Sequence, residues 1–323
     1  MSISNRFNFS PDQIAELNFE YVYSVGYLES FHPGIRRLRG GFESALSSGN
    51  TNMGFLCAAQ SIMLSIISGD KKLFLLLQEV DYYLHLLKTY ENQITRTFLL
   101  IFRKTVSTLI DREETTSIES DDSPGTQGDT TPKIVLDMIY VNGTIQNFWL
   151  GYSERCCHFA KKCFVSLLKP GREYRLVVMF YHGLNLLDML KKKSNPPRRK
   201  EAREIIESLE VTVSYADSNF RNKLNLLQAE LYGLDCRHSQ AVAAYDAAIA
   251  SAENHNFVHE QGLACEKAGF YFRKIEDHRN TLKYFDQARV CYNEWGSRVK
   301  VEMMEKEINA LNALFQVRST CIR

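Results

Sequence analysis

RNKLNLLQAELYGLDCRHSQAVAAYDAAIASA, residues 221–252, and QGLACEKAGFYFRKIEDHRNTLKYFDQARVCY, residues 261–292, are two copies of one pattern set forty positions apart. Tyr245, Ala248 and Ala252 of the first copy return as Phe285, Ala288 and Tyr292 of the second, and a small residue on the preceding helix-length segment, Ala229 and then Gly269, precedes each set. A hairpin of two helices demands this order. A small residue stands where the second helix crosses the first, a large one follows about a turn on (Tyr232, Phe272), and the second helix carries a small, an aromatic and a small residue at spacings of four and three. Ala241, Tyr245 and Ala248 supply that triplet in the first copy, and Thr281, Phe285 and Ala288 in the second, where Thr281 alone departs from the pattern. One hairpin cannot bury its own apolar face, so such units stack on neighbours. The expected fold class is all-α, with antiparallel helical hairpins stacked as a solenoid.

Outward from the repeat, the seven prolines at 11, 33, 124, 132, 170, 196 and 197 separate apolar-periodic segments instead of interrupting them. Helices require this, because an interior proline costs about 3 kcal/mol. Ser10, Pro11 and Gln13 form a capping-box start for a first helix reaching about Leu28. Further helices are expected near 34–48, 51–68, 71–89 and 92–110, with Gly49-Asn50 and Gly69-Asp70 as stops and Gly40-Gly41 as a weak point of the second. They resume near 134–153, 154–169, 172–191, 198–217 and 219–233, and continue in pairs over 238–253, 257–274, 278–294 and 298–317. DREETTSIESDDSPGTQGDTTPK, 111–133, holds seven acids, two bases and no aromatic, a composition that reads as a disordered linker. The organisation expected is N-terminal helical repeats over 1–110, that acidic linker, and C-terminal repeats with a terminal capping helix over 134–323.

The chain is 45% hydrophobic and 24% charged, and its 39 basic and 38 acidic residues leave a formal charge of +1, so no global field draws it to nucleic acid or to an anionic membrane. MSISNRFNFS lacks the pattern of a signal peptide, and the longest apolar stretch, 55–67, is interrupted by Gln60 and short for a bilayer. The eight cysteines are scattered like small buried side chains rather than a disulfide framework. The expected location is cytoplasmic or nuclear.

The hairpin pattern resembles the tetratricopeptide repeat, although its period exceeds the usual spacing of about thirty-four residues and Glu253 and Asn293 stand where a proline usually follows the second helix. Longer strings, RNKLNLLQAEL at 221–231, YDAAIASA at 245–252, NFVHEQGLACEKAGFYF at 256–272 and YFDQARVCYNEWGSRVKVEMME at 284–305, are similar to the helical repeat region of large hybrid signalling kinases. FYHGLNLLDML at 180–190 is similar to the same region more loosely. The resemblance implies a region lying between a P-loop signalling ATPase and a downstream GAF and histidine-kinase segment, and hence a role in signalling.

The chemistry of those neighbours is not spelled out in this chain. No GxxxxGK[ST] occurs, and GGFESALSSGN and GTQGDT lack the lysine that would reach a nucleotide's phosphates. Cys156, Cys157, His158 and Cys163 are the densest set of ligand-type side chains, but adjacent residues on a helix point in different directions, so packing is the expected role. His255 and His259 lack the third ligand of a zincin and are assigned to capping and packing. The basic run KKKSNPPRRK, 191–200, reads as a solvated connection between helices, and Ser123-Pro124 and Thr131-Pro132 as candidate phosphorylation sites. No catalytic, cofactor-binding or metal site is therefore assigned, and no cofactor. Carried over position by position, the concave face of first helices would include Lys223, Leu226 and Glu230 in one repeat and Leu263, Glu266, Phe270 and Arg273 in the next. Leu226 and Glu230 replace the cation and asparagine with which chaperone-tail clamps hold a carboxylate, so a mixed apolar and acidic groove for a helix or basic peptide is expected. The expected function is a non-enzymatic scaffold that binds a protein or peptide partner in intracellular signalling. The alternative is a regulatory segment of a hybrid kinase or signalling ATPase whose catalytic domains lie outside this chain.

Overall fold

The computed structural model describes residues 9–90, 92–111, 131–166 and 172–321. Among them are fourteen α-helices and no strand: α1 (Pro11–Val25), α2 (Phe31–Ser47), α3 (Thr51–Ser68), α4 (Leu73–Leu86), α5 (Gln93–Ile110), α6 (Lys133–Trp149), α7 (Ser153–Ser166), α8 (Arg172–Lys192), α9 (Pro196–Val213), α10 (Asp217–Leu234), α11 (His238–Asn254), α12 (Val258–Lys274), α13 (His278–Trp295) and α14 (Arg298–Cys321). A single 3-10 turn, Gly26–Leu28, follows α1. Neighbouring helices pack as antiparallel pairs, most closely α12 on α13, α10 on α11 and α2 on α3, which makes the protein an all-α helical repeat solenoid. Most of the expected linker, including Ser123-Pro124, lies outside the described residues.

The helix ends follow local chemistry. Ser10 Oγ accepts from the Gln13 backbone N–H while Gln13 Oε1 accepts from that of Ser10, closing the capping box. Gly40-Gly41 does not break α2: Gly41 is buried where α2 meets α3, and a Cβ there would lie 3.1 Å from Cys57 Sγ. The basic run is less of a loop than expected, since Pro196 and Pro197 open α9 under an Asn195 cap and only 193–195 connect the helices. Among the C-terminal pairs one turn recurs every twenty residues. Cys236, Asn256, Glu276 and Gly296 each adopt positive φ. The following N–H closes back five residues in every case, Arg237 to Tyr232 O, Phe257 to Ala252 O, Asp277 to Phe272 O and Ser297 to Tyr292 O. These are Schellman closures, which satisfy the last carbonyls of each helix. The repeat crossings are as the pattern requires: Ala229, Ala241, Tyr245, Ala248, Phe285 and Ala288 are buried, and a Cβ on Gly269 would meet the Phe285 ring at 2.4 Å.

The array does not stay open. Asn219, in the first turn of α10, accepts from the Phe31 N–H at 3.1 Å and donates to the carbonyls of Tyr27, at 2.9 Å, and Glu29. Ser297 Oγ donates to Leu109 O at 2.6 Å, and Arg298 pairs with Asp111. Gly69, left-handed at the end of α3, lies so close under His259 that a Cβ there would be 2.4 Å from Nδ1. The expected division into N-terminal and C-terminal repeats is thus not a division of cores, because one apolar core runs from Val22 to Leu311. Its axis in the N-terminal part is α3, buried at every residue from Cys57 to Ser68. By length and composition α3 could cross a membrane, but here its apolar surface is covered by neighbouring helices.

Candidate functional site

Folding back of the N-terminal helices determines what remains of the concave face. Lys223, Leu226, Glu230, Leu263 and Glu266 are buried, Phe270 is half-buried and only Arg273 is exposed. The expectation that these first-helix positions face solvent is therefore corrected. The chain itself fills part of the face: Lys223 is enclosed by Phe180, Phe220 and Phe257, its Nζ 4.2 Å from the Phe257 ring centroid, and Trp149 at the end of α6 packs against Trp295.

The uncovered part is a cleft made of two connecting cavities of ≈ 620 Å³ and ≈ 130 Å³, which share Gly151, Ser153, Asp188 and Lys267. Its walls come from α8, α10, α12 and α14 and the turn between α6 and α7. Five of the seven expected residues, Glu230, Leu263, Glu266, Phe270 and Arg273, line it, whereas Lys223 and Leu226 do not.

The two glutamates are already engaged. Glu230 accepts from Tyr245 Oη at 2.5 Å and from Lys191 Nζ, while Glu266 accepts from Tyr292 Oη at 2.5 Å and pairs with Lys300 at 2.6 Å. Asp188 links the cavities by accepting from Lys191 at 3.1 Å and from Lys267. Burial pushes its carboxyl up, but Lys267 and Lys191 outweigh that and hold it at about 2. Burial likewise lowers Lys191, and Glu230 and Asp188 more than reverse it. Asp188 therefore stays ionised and paired near neutral pH.

The charges that line the cleft are unequal. Lys191, Lys192, Lys267, Arg273, Lys274 and Lys300 line the cleft against Asp188, Glu230 and Glu266, six cations to three carboxylates. Lys192 and Lys274 are exposed at the rim. A basic peptide would meet a net positive wall. Neither a protein-family model nor a curated protein matches this sequence.

The other singled-out residues do not converge on a site. Cys156, Cys157 and Cys163 are buried in α7 while His158 is exposed, and burial pushes the Cys163 thiol up to about 12. His255 Nδ1 hydrogen-bonds Ser251 O, whereas His259 packs against Trp295 with ring centroids 5.1 Å apart. Among the described residues no group of three histidine, cysteine or carboxylate side chains is placed to hold a metal. The cleft residues that sequence reasoning missed are Asp188 and Lys267, and Tyr245, read from the sequence only as a crossing residue, also donates to Glu230. Asp188 and Lys191 share a helix face at i,i+3, a signal that was legible, but their partners come from helices α10 and α12 and could not be read locally.

Proposed function

We propose that the protein is a non-enzymatic helical-repeat scaffold whose concave cleft captures an acidic segment of a protein partner in intracellular signalling. The carrying observation is the surplus of cations in the cleft: Glu230 and Glu266 are paired within the fold, leaving Lys192 and Lys274 exposed at the rim to meet a ligand, beside Arg273, which pairs with Glu307. Complementary charge of this kind raises the association rate and rejects basic competitors. The signalling role rests on the similarity of residues 221–305 to the repeat region of hybrid kinases. The same similarity supports the second reading, a regulatory segment of such a kinase, for which a P-loop or kinase reading frame beside the coding region would be the deciding observation.

The test is fluorescence anisotropy with three labelled helical peptides, glutamate-rich, lysine-rich and neutral. The glutamate-rich peptide is expected to bind at least about tenfold tighter than the lysine-rich one and to weaken with salt. A Lys192→Glu/Lys274→Glu variant, altered only at exposed positions, is expected to lose that preference with unchanged circular dichroism. Charge-independent binding, or preference for the lysine-rich peptide, would overturn the ligand assignment. ATP hydrolysis by the purified chain would overturn the non-enzymatic reading.

A further inference from the structure

A separate cavity of ≈ 440 Å³ opens at the other end of α6, between α1, α3, α5, α6, α7 and α8. Its walls are chiefly apolar and aromatic, with Phe19, Tyr23, Phe98, Phe102 and Met138 around it and its mouth at the first turn of α6, where Lys133 and Ile134 are exposed. Its volume suits a small molecule, and such sites pair apolar walls with a few placed polar groups.

The polar groups here are incompletely satisfied. Gln60, 9% exposed, lines the cavity; its Oε1 accepts from Tyr174 Oη at 2.5 Å, but its Nε2 has no hydrogen-bond partner among the described residues. Glu173, 2% exposed, lies beside this pair, and neither carboxyl oxygen has a well-formed hydrogen bond among the described residues. The Gln60 amide and Glu173's own backbone N–H are the donors closest to serving it, and burial outweighs them, raising its carboxyl to about 7. Buried polar groups left in this state carry a desolvation cost that a ligand can relieve.

The sign of the missing group follows from the charges around it. On α6, Asp137 lines the wall and accepts from Ser166 of α7, and on α1 the Tyr23 phenol is raised by burial and then by Glu173, Glu20 and Asp137 together. α3 contributes Gln60 to the wall, α8 contributes Tyr174, and α5 contributes only Phe98 and Phe102, while Glu173 of α8 is buried behind the wall within reach of Gln60 and Tyr23. Lys133, at the mouth, is the one cation among the described residues that line the cavity. One carboxylate in the wall, Asp137, and a second buried behind it, Glu173, thus both act on the Tyr23 end of an aromatic cavity, the arrangement that favours an organic cation over an anion.

We propose that this cavity binds a small amine with an apolar body, its ammonium held at the Tyr23–Gln60 end beside Asp137 and Glu173 and its body packed among Phe19, Phe98, Phe102 and Met138. Placing a cation there ionises Glu173, so binding releases a proton. The site is independent of the cleft and of the partner proposed for it.

Calorimetric titration of the full chain with phenylpropylamine, phenylpropanol and phenylpropionate tests the assignment. The amine is expected to bind at least about tenfold tighter than the alcohol, and the carboxylate most weakly. Lys133→Glu, at an exposed position, should raise amine affinity about threefold or more without altering the fold. Glu173→Gln should lower it and remove its rise between about pH 6 and about pH 8. Met138→Trp, filling the cavity, should abolish binding of all three probes while Lys133→Glu serves as the folded control. Equal affinity for amine and carboxylate, no response to Lys133→Glu, or no binding of any probe at millimolar concentration would overturn the proposal.

Discussion

The Nζ of Lys223 donates to Glu260 Oε2 at 2.7 Å, and neither side chain reaches solvent, with 0% and 1% exposure. Asn222 adds a donor to the same carboxylate oxygen and the Asn219 carbonyl accepts from Lys223. Desolvation pulls Lys223 down and Glu260 up, each only partly countered by the other's charge. The pair ties α10 to α12 under the helices folded onto them, so a residue expected to greet a ligand instead closes the core.

Removing one partner leaves a buried charge unopposed. Lys223→Met is expected to destabilise the protein by about 3–5 kcal/mol, whereas Lys223→Met with Glu260→Leu should recover most of that loss. Urea denaturation of the parent, both single variants and the double variant measures it; a double variant no more stable than the worse single variant would count against a dominant charge effect.

Two buried groups give opposing pH dependence. Burial raises Glu173 from 4.5 to about 7, so the stability it contributes is complete below 4.5 and lost as pH rises through 7. Burial, and then the Lys223 charge, lower His259 from 6.5 to about 3, so its contribution is complete above 6.5 and lost as pH falls through 3. Between 4.5 and 6.5 these slopes oppose each other. Glu173→Gln should expose a loss of stability on acidification there, and His259→Phe should expose a gain. Denaturant midpoints across that range check both signs.

Glu276 is exposed and holds φ at 61° in a turn that requires the left-handed region. Glycine occupies this region without the Cβ strain of about 1 kcal/mol, so Glu276→Gly should stabilise the protein by roughly that amount. Thermal melting is the readout. An equal or lower melting temperature would mean that the glutamate side chain offsets the strain.

Ala248 and Ala288 are wholly buried at their helix crossings. Ala248→Glu and Ala288→Glu should each destabilise by several kcal/mol, about 3 or more, because neither volume nor an unpaired charge is accommodated. Melting within a degree or two of the parent, followed by circular dichroism, would show the repeat alignment to be wrong.

Most of the helices were legible because their signals are local. Ser10 and Gln13 cap one helix, Asn195 with two prolines opens another, and Ala248 and Gly269 each mark a crossing within their own hairpin. The twenty-residue recurrence of left-handed turns was hidden, because the positions hold cysteine, asparagine, glutamate and only once glycine. Hydrogen bonding to the helix end enforces that conformation at some strain, so residue type alone does not announce it. Of the seven residues named from the sequence, Glu230, Leu263, Glu266, Phe270 and Arg273 line the cleft, but the pairing of the two glutamates was not legible.

What the amino-acid order determined by itself is the helix content, the pairing of neighbours and the crossing geometry, since each depends on residues a few turns apart. Only the tertiary structure decided that the face would be closed. Asn219 reaching back to Tyr27 and Phe31, and Gly69 admitting His259, join segments some 190 residues apart in the chain. α3 is apolar on most of its circumference, and burying it on all sides requires helices from more than one hairpin. Contacts between separate hairpins, Lys191 of α8 on Glu230 and Lys300 of α14 on Glu266, engage the two glutamates, which is why the charge of the cleft could not be read from one hairpin.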